Sequence, residues 1–363
     1  MKKLLSAILA VMMLVGCSSS GDSKNIVEST EVASMDTLDD SYYKIIKRDD
    51  KDSALREKFY LSYGGKNDFA TIGRGLQLLS ADYFSTKDYY MSEGQYITLT
   101  AWNQLLKRNN DKNEYPYSLQ SPSGEVIDGV TNPIMVSNLY EQDYYLASGS
   151  GYEIKGVSLT IILDPEKSDG SALDTAMDSE TIKAYGEKCI KTMYKFIEED
   201  KSMKEIKDLP ILITVYQATD STKSTVNGNY ILSSYCNKEV GEIKSLKYEN
   251  VVFTSTRAET VDKTTATEFA TIKSKLKDAA TEAAGLVGVG KYENGEIQSM
   301  VMTANLNVKT YTELLYLTTI LADNIDSKFT IDFDIRVVVN SQDNLAAVII
   351  KNKGEKAKAT FMY

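Results

Sequence analysis

The chain of 363 residues contains no histidine. That absence excludes Ser-His-Asp and Cys-His catalysis, every histidine-containing metal site, and a side chain that titrates near neutrality without perturbation. Cysteine is scarce, with three residues at Cys17, Cys189 and Cys236. Tryptophan occurs once, as Trp102, against 24 tyrosines. The five prolines all lie between Pro116 and Pro210, so the last third of the chain has none. Positive charge is in deficit. With 41 Lys and Arg against 51 Asp and Glu, the formal net charge is −10. An acidic chain disfavours DNA, RNA and anionic headgroups as partners, and no nucleic-acid role is expected. After the N-terminal segment no apolar run approaches the roughly 18 to 20 residues of a membrane-spanning helix.

The N-terminal segment is the most informative part. Lys2 and Lys3 precede an apolar stretch from Leu4 to Val15, which is too short to span a bilayer. Leu14-Val15-Gly16-Cys17 then supplies a branched residue, a small residue and a cysteine. This pattern predicts a lipoprotein signal over residues 1–16, cleaved after Gly16, with Cys17 acylated as the new N-terminus. Signal peptidase and a lipid transferase are the partners this maturation requires. Two acyl chains hold a protein on a membrane firmly where one is marginal. The expected address is the extracellular face of the cell membrane. Residues 17–40 are rich in Ser, Asp and Glu without periodicity and read as a flexible tether.

The remainder is expected to be α+β, made of two related β-α-β-β units, each an antiparallel-rich sheet with helices packed on one face. In the first unit a strand over 152–164 precedes a helix over 179–199. That helix carries Ile182, Tyr185, Cys189, Met193, Phe196 and Ile197 on one face. Strands over 211–217 and 228–236 follow. In the second unit a strand over 295–307 leads to a helix over 311–325, then strands over 329–339, 345–350 and 357–362. A leading helix is expected before each unit. The first would start near Asn132-Pro133, and the second at Thr265, where Thr265-Ala266-Thr267-Glu268 fits a capping box. Asn294-Gly295 suits a tight hairpin turn. Residues 41–250 are assigned to an N-terminal region plus the first unit, and 251–363 to the second.

The candidate sites are weak. Gly285-Leu286-Val287-Gly288-Val289-Gly290-Lys291-Tyr292 approaches a phosphate-binding loop, but Tyr292 stands where magnesium needs Ser or Thr. It reads as a helix-to-strand connection. Glu93 and the group Glu141-Gln142-Asp143, placed at a predicted helix end, are the carboxylates to weigh for acid–base hydrolysis. The doublets Tyr42-Tyr43, Tyr89-Tyr90 and Tyr144-Tyr145 suit either a ligand surface or half-wet core positions. Lys351, Lys353, Lys356 and Lys358 read as a solvated hairpin. Cys189 and Cys236 are open to a disulfide outside the cytoplasm or to burial as small hydrophobes. No catalytic residue, metal ligand or cofactor site is assigned.

Several stretches together resemble the CamS family of Gram-positive lipoproteins. They are Gly75-Leu76-Gln77-Leu78-Leu79-Ser80, Tyr83-Phe84-Ser85, Tyr90 with Glu93-Gly94-Gln95-Tyr96, and Asn132-Pro133 leading into Glu141-Gln142-Asp143-Tyr144-Tyr145. Leu209-Pro210-Ile211, Tyr216-Gln217 and Gly228-Asn229-Tyr230 continue the likeness in order. The resemblance implies a membrane-tethered sex-pheromone precursor, in which the seven residues before the lipid cysteine are released to induce plasmid transfer. Here these are Ala10, Val11, Met12, Met13, Leu14, Val15 and Gly16. It implies no reaction for the mature domain, which is expected to be a non-enzymatic envelope binding protein. The alternatives are an envelope hydrolase using Asp or Glu, and a scaffold without a small ligand. A tyrosine-lined cleft between the units favours binding, converging carboxylates there favour hydrolysis, and a scaffold predicts no cavity above about 300 Å³.

Overall fold

The computed structural model describes residues 26–27, 31–32, 39–47, 53–66, 68–149, 151–219, 226–279 and 284–363. They form an α+β fold around two mixed sheets. The first sheet is built on a long antiparallel hairpin, Ile134–Ser148 with Gly151–Glu166. Helix Ser179–Glu199 crosses over to strand Ile211–Gln217, which pairs parallel to the hairpin. Strand Asn229–Cys236 returns antiparallel. On the other side of the hairpin lie Tyr90–Glu93 and Lys44–Lys47, with the short strands Ile26–Val27 and Glu31–Val32 pairing at the margins.

The second sheet follows the same order of pairing. Strands Ala284–Glu293 and Glu296–Leu306 form the hairpin, and its turn Asn294-Gly295 has φ of 53° and 83°. These left-handed values are the ones a two-residue turn requires of Asn-Gly. Helix Tyr311–Lys328 crosses over to Asp334–Ser341, parallel to Glu296–Leu306. Asn344–Lys351 and Lys358–Phe361 then complete the sheet on one side, and Tyr248–Phe253 lies on the other. This shared order is compatible with two related units.

The crossover helices form where the apolar periodicity places them. Asp178 starts the first, its carboxylate accepting from the amides of Glu180 and Thr181. The whole expected stripe from Ile182 to Ile197 is buried against Val157, Leu159, Ile161, Ile211, Ile213 and Val215. Thr310 starts the second by accepting from the Glu313 amide, and Leu314, Leu317, Leu321 and Ile325 fill the core beneath the sheet.

Several expectations give way. Residues after Asn132-Pro133 form a strand, not a helix, so Glu141-Gln142-Asp143 sits in mid-strand. The segment is apolar on both faces, and a continuously apolar run does not separate strand from buried helix. The helix expected at Thr265 begins at Lys263; Thr265 is buried within its first turn, and the Asp262 carboxylate accepts from the Thr265 amide. The glycine-rich stretch around Lys291 is strand rather than connection. The strand expected from residue 329 starts at Asp334, five residues later than its pattern suggests. Cys189 and Cys236 are both buried and unpaired, and burial pushes the Cys189 thiol up to about 12. Helices lie on one face of the second sheet but on both faces of the first, where Asp68–Ser80 covers the side opposite Ser179–Glu199. Among the described residues no helix is long and apolar enough to cross a membrane.

Candidate functional site

A cleft of about 630 Å³ lies between helix Asp68–Ser80 and the uncovered face of the second sheet. Its walls are assembled by a chain of buried polar contacts. Tyr216 Oη and the Gly228 amide both donate to Asp68 Oδ1 at 2.7 Å, which fixes the turn at 226–229 against the helix start. Tyr230 Oη donates to the Ile72 carbonyl at 2.6 Å. The helix comes this close only because residue 75 is glycine. A Cβ there would sit 2.4 Å from the Tyr230 ring. The second sheet is tied in by Asn250, whose Nδ2 donates to the Asn227 carbonyl at 3.0 Å and to Asn229 Oδ1 at 2.9 Å.

Three tyrosines, Tyr216, Tyr230 and Tyr248, line the cleft, with Leu78, Val289 and Val301 as apolar floor. Its charged lining is Arg74 and Lys291, and no Asp or Glu is among the described residues that line it. Arg74 donates to the Ser41 carbonyl and hydroxyl at 3.0 and 2.6 Å and lies 3.8 Å above the Tyr42 ring. Lys291 Nζ lies 5.6 Å from the Tyr248 ring centroid. Burial lowers the Lys291 pKa; Glu293 on the same strand opposes that shift, and Arg74 adds to it. The cleft is therefore cationic, desolvated and partly apolar, a combination suited to binding rather than to proton transfer.

The carboxylates singled out in the sequence lie elsewhere. Glu141 Oε1 and Oε2 accept the Tyr96 and Ile97 amides, each at 2.9 Å, and Asp143 Oδ2 accepts the Gln95 amide at 3.0 Å. These bonds clamp the loop after Tyr90–Glu93 onto the long hairpin. Burial raises the Glu141 pKa while the amides oppose it. Gly94 is needed here, since a Cβ would fall 2.2 Å from Glu141 Cγ. Glu93 pairs with Arg56 through two contacts of 3.0 and 2.7 Å. Glu93 and Glu141 do share an apolar cavity of about 530 Å³, but both Glu141 oxygens are occupied by backbone. A third cavity, of about 470 Å³, brings Asp164, Glu166 and Lys66 together below the start of helix Ser179–Glu199. Burial raises Glu166 there, and Lys66 opposes the shift.

Tyr43, Tyr144 and Tyr145 of the doublets are core residues. Lys351 bonds Asp332 and is buried, whereas Lys353, Lys356 and Lys358 stay at the surface of the closing hairpin. Among the described residues no cluster of three or more Cys, Asp and Glu could hold a metal. Cys17 and Ala10 to Gly16 lie outside the described residues. Sequence reasoning missed Arg74, Tyr248 and Asn250. The available signal was the run Val287, Val289, Lys291, which alternates with buried residues on the less buried face of its strand.

Two mixed sheets, each with a helix crossover between parallel strands, define an α+β protein with an inter-sheet cleft. Residues 52–357 match the family described as CamS sex pheromone cAM373 precursor, and the chain belongs to that family. The fold is similar to the crystal structure of a sex pheromone precursor from Lactobacillus salivarius subsp. salivarius UCC118 (TM-score 0.78, 20% identity, covering 92% of this chain and 99% of that one). It is also similar to the C-terminal domain of the sex pheromone staph-cAM373 precursor from Staphylococcus aureus (TM-score 0.63, 19% identity, 82% and 96% covered). A comparison with curated proteins found no match.

Proposed function

We propose that the chain is a lipoprotein held on the outer face of the cell membrane through acylated Cys17, with units over 41–250 and 251–363 carried on a tether within residues 17–40, of which Ile26–Val27 and Glu31–Val32 pair onto the first sheet. Its signal-peptide tail, Ala10 to Gly16, is a source of a pheromone-like heptapeptide. The order Leu14-Val15-Gly16-Cys17 supports the anchor, and membership of a pheromone-precursor family supports the peptide. Mass spectrometry of a producing culture tests both. Acylated Cys17 in the membrane with free AVMMLVG in the medium is the expected result. An unmodified Cys17 would sink the anchor, and absence of the peptide would remove the signalling role.

The mature part binds a small ligand in the inter-sheet cleft and is not an enzyme. The carrying observation is the three-tyrosine lining with two cations and no carboxylate. Chain isolated from producing cells is expected to release a stoichiometric small molecule on denaturation, and Val301→Trp, which fills the floor, is expected to abolish it. An empty wild-type chain would end the binding reading. A scaffold without a small ligand predicted no cavity above about 300 Å³, and four larger ones are present among the described residues. The alternative of hydrolysis would use the cavity of Asp164, Glu166 and Asp174. If the chain cleaves envelope glycans and Glu166→Gln stops it, that alternative replaces this one.

A further inference from the structure

We propose that the inter-sheet cleft recognises the free C-terminal carboxylate of a short apolar peptide, seated between Arg74 and Lys291. The proposal rests on the binding reading above and adds the chemistry of the ligand. Arg74 and Lys291 come from different units and enter the same cleft, with no acid among its described lining residues. Each cation disfavours the other, and part of that cost is visible as the lowered Lys291 pKa. An anion between them removes it.

Outside the lining, Asp39 accepts from the Ser41 amide at 2.9 Å and Arg74 helps to hold its carboxyl low, so Arg74 has an exposed acid nearby but none among the described residues that line the cleft. Glu293 lies on the Lys291 strand and is directed to Tyr248, whose hydroxyl it also raises. Two of the five N–H donors of Arg74 are committed to Ser41, which leaves three to donate to a carboxylate. A phosphate cradle of stacked backbone amides is not built here, because the Gly228 amide in the adjoining turn already serves Asp68. Beyond the cations the lining alternates apolar groups, Val289, Val301 and Leu78, with the polar Ser299, Thr303 and Asn229. That alternation matches side chains and amides along a peptide. A hydrocarbon acid would leave the polar groups without a partner.

Isothermal titration of the full chain with synthetic AVMMLVG tests this, against the same peptide as its C-terminal amide and against octanoate. The acid is expected to bind saturably and the amide about tenfold more weakly. Lys291→Ala is expected to remove most of the difference between acid and amide without changing the amide, Arg74 keeping the rest, and Lys291→Arg to restore it. Thermal melting of each variant separates lost binding from lost folding, and Val301→Trp blocks the floor while both cations stay. Equal binding of acid and amide overturns carboxylate recognition, even where a natural ligand is still released from the wild-type cleft. Octanoate binding as tightly as the peptide acid overturns the peptide. No binding of the acid at millimolar concentration overturns the proposal whole.

Discussion

The two sheets use one order of strands but bury them differently. In the first, strand Gly151–Glu166 is covered on both sides. Its second covered face is polar: Ser158 meets Ser80 at 2.8 Å, and Thr160 meets Thr214 at 3.0 Å and Tyr230 at 3.1 Å. In the second, one face packs Met300, Met302, Val337 and Ile349 on dry helices. The other face leaves Val287 and Val301 about half exposed, at 47% and 52%. A sheet covered twice must satisfy its buried hydroxyls internally, and a sheet covered once keeps a face for something else. The cleft arises where the two solutions meet.

The contrast can be broken first at the cores. Phe196→Ala beneath the first sheet and Leu321→Ala beneath the second should each cost about 3 to 4 kcal/mol. Urea unfolding followed by probes in both regions reads the outcome. If the regions unfold independently, each substitution moves its own transition; a single shared shift would show one cooperative body. Next, Asp68→Ala should cost about 2 to 3 kcal/mol, because Tyr216 Oη and the Gly228 amide lose a buried charged acceptor. The same change should loosen the turn at 226–229, readable as faster amide exchange at Gly228. Glu141→Gln should cost about 1 to 2 kcal/mol, since one of the two amides it accepts would then face an NH₂ group. Its midpoint in urea should fall without a change in slope.

Alkali should act mainly on the first region. Burial raises Tyr63, Tyr144, Tyr216 and Tyr230 there and pushes Tyr194 up to about 12, whereas in the second sheet it raises Tyr292 and pushes Tyr248 up to about 12. A phenol with a raised folded pKa contributes stability that is complete below its unfolded value of about 10 and is lost as pH rises through the folded value. Unfolding should therefore set in between about pH 10 and 12, with tyrosinate absorbance appearing together with loss of secondary structure. Tyrosinate appearing first, with the fold intact, would contradict the buried network. The smallest effect belongs to the open face. Val287→Thr should change stability by less than about 0.5 kcal/mol, as measured by thermal melting.

Legibility followed the same division. Helix Ser179–Glu199 could be read from its stripe, and Asn294-Gly295 from turn chemistry, because both signals are local. Strand Ile134–Ser148 could not, because burial on both faces erases the alternation that marks a strand. Glu141 and Asp143 looked like candidate acids because sequence shows a carboxylate but not the amides it holds. Gly75 and Gly94 were visible as part of a family likeness, and only packing explains them, through Tyr230 and Glu141.

By itself the sequence determined the exclusion of histidine chemistry, the acidic surface, the two crossover helices and the family, all of which depend on composition or on neighbours along the chain. Tertiary structure decided which faces are covered, which amides Glu141 holds, and that Arg74 and Lys291, more than 200 residues apart, enter one cleft. Those outcomes depend on which strands pair and which helix lies over them, and long-range pairing leaves no periodic trace in either segment alone.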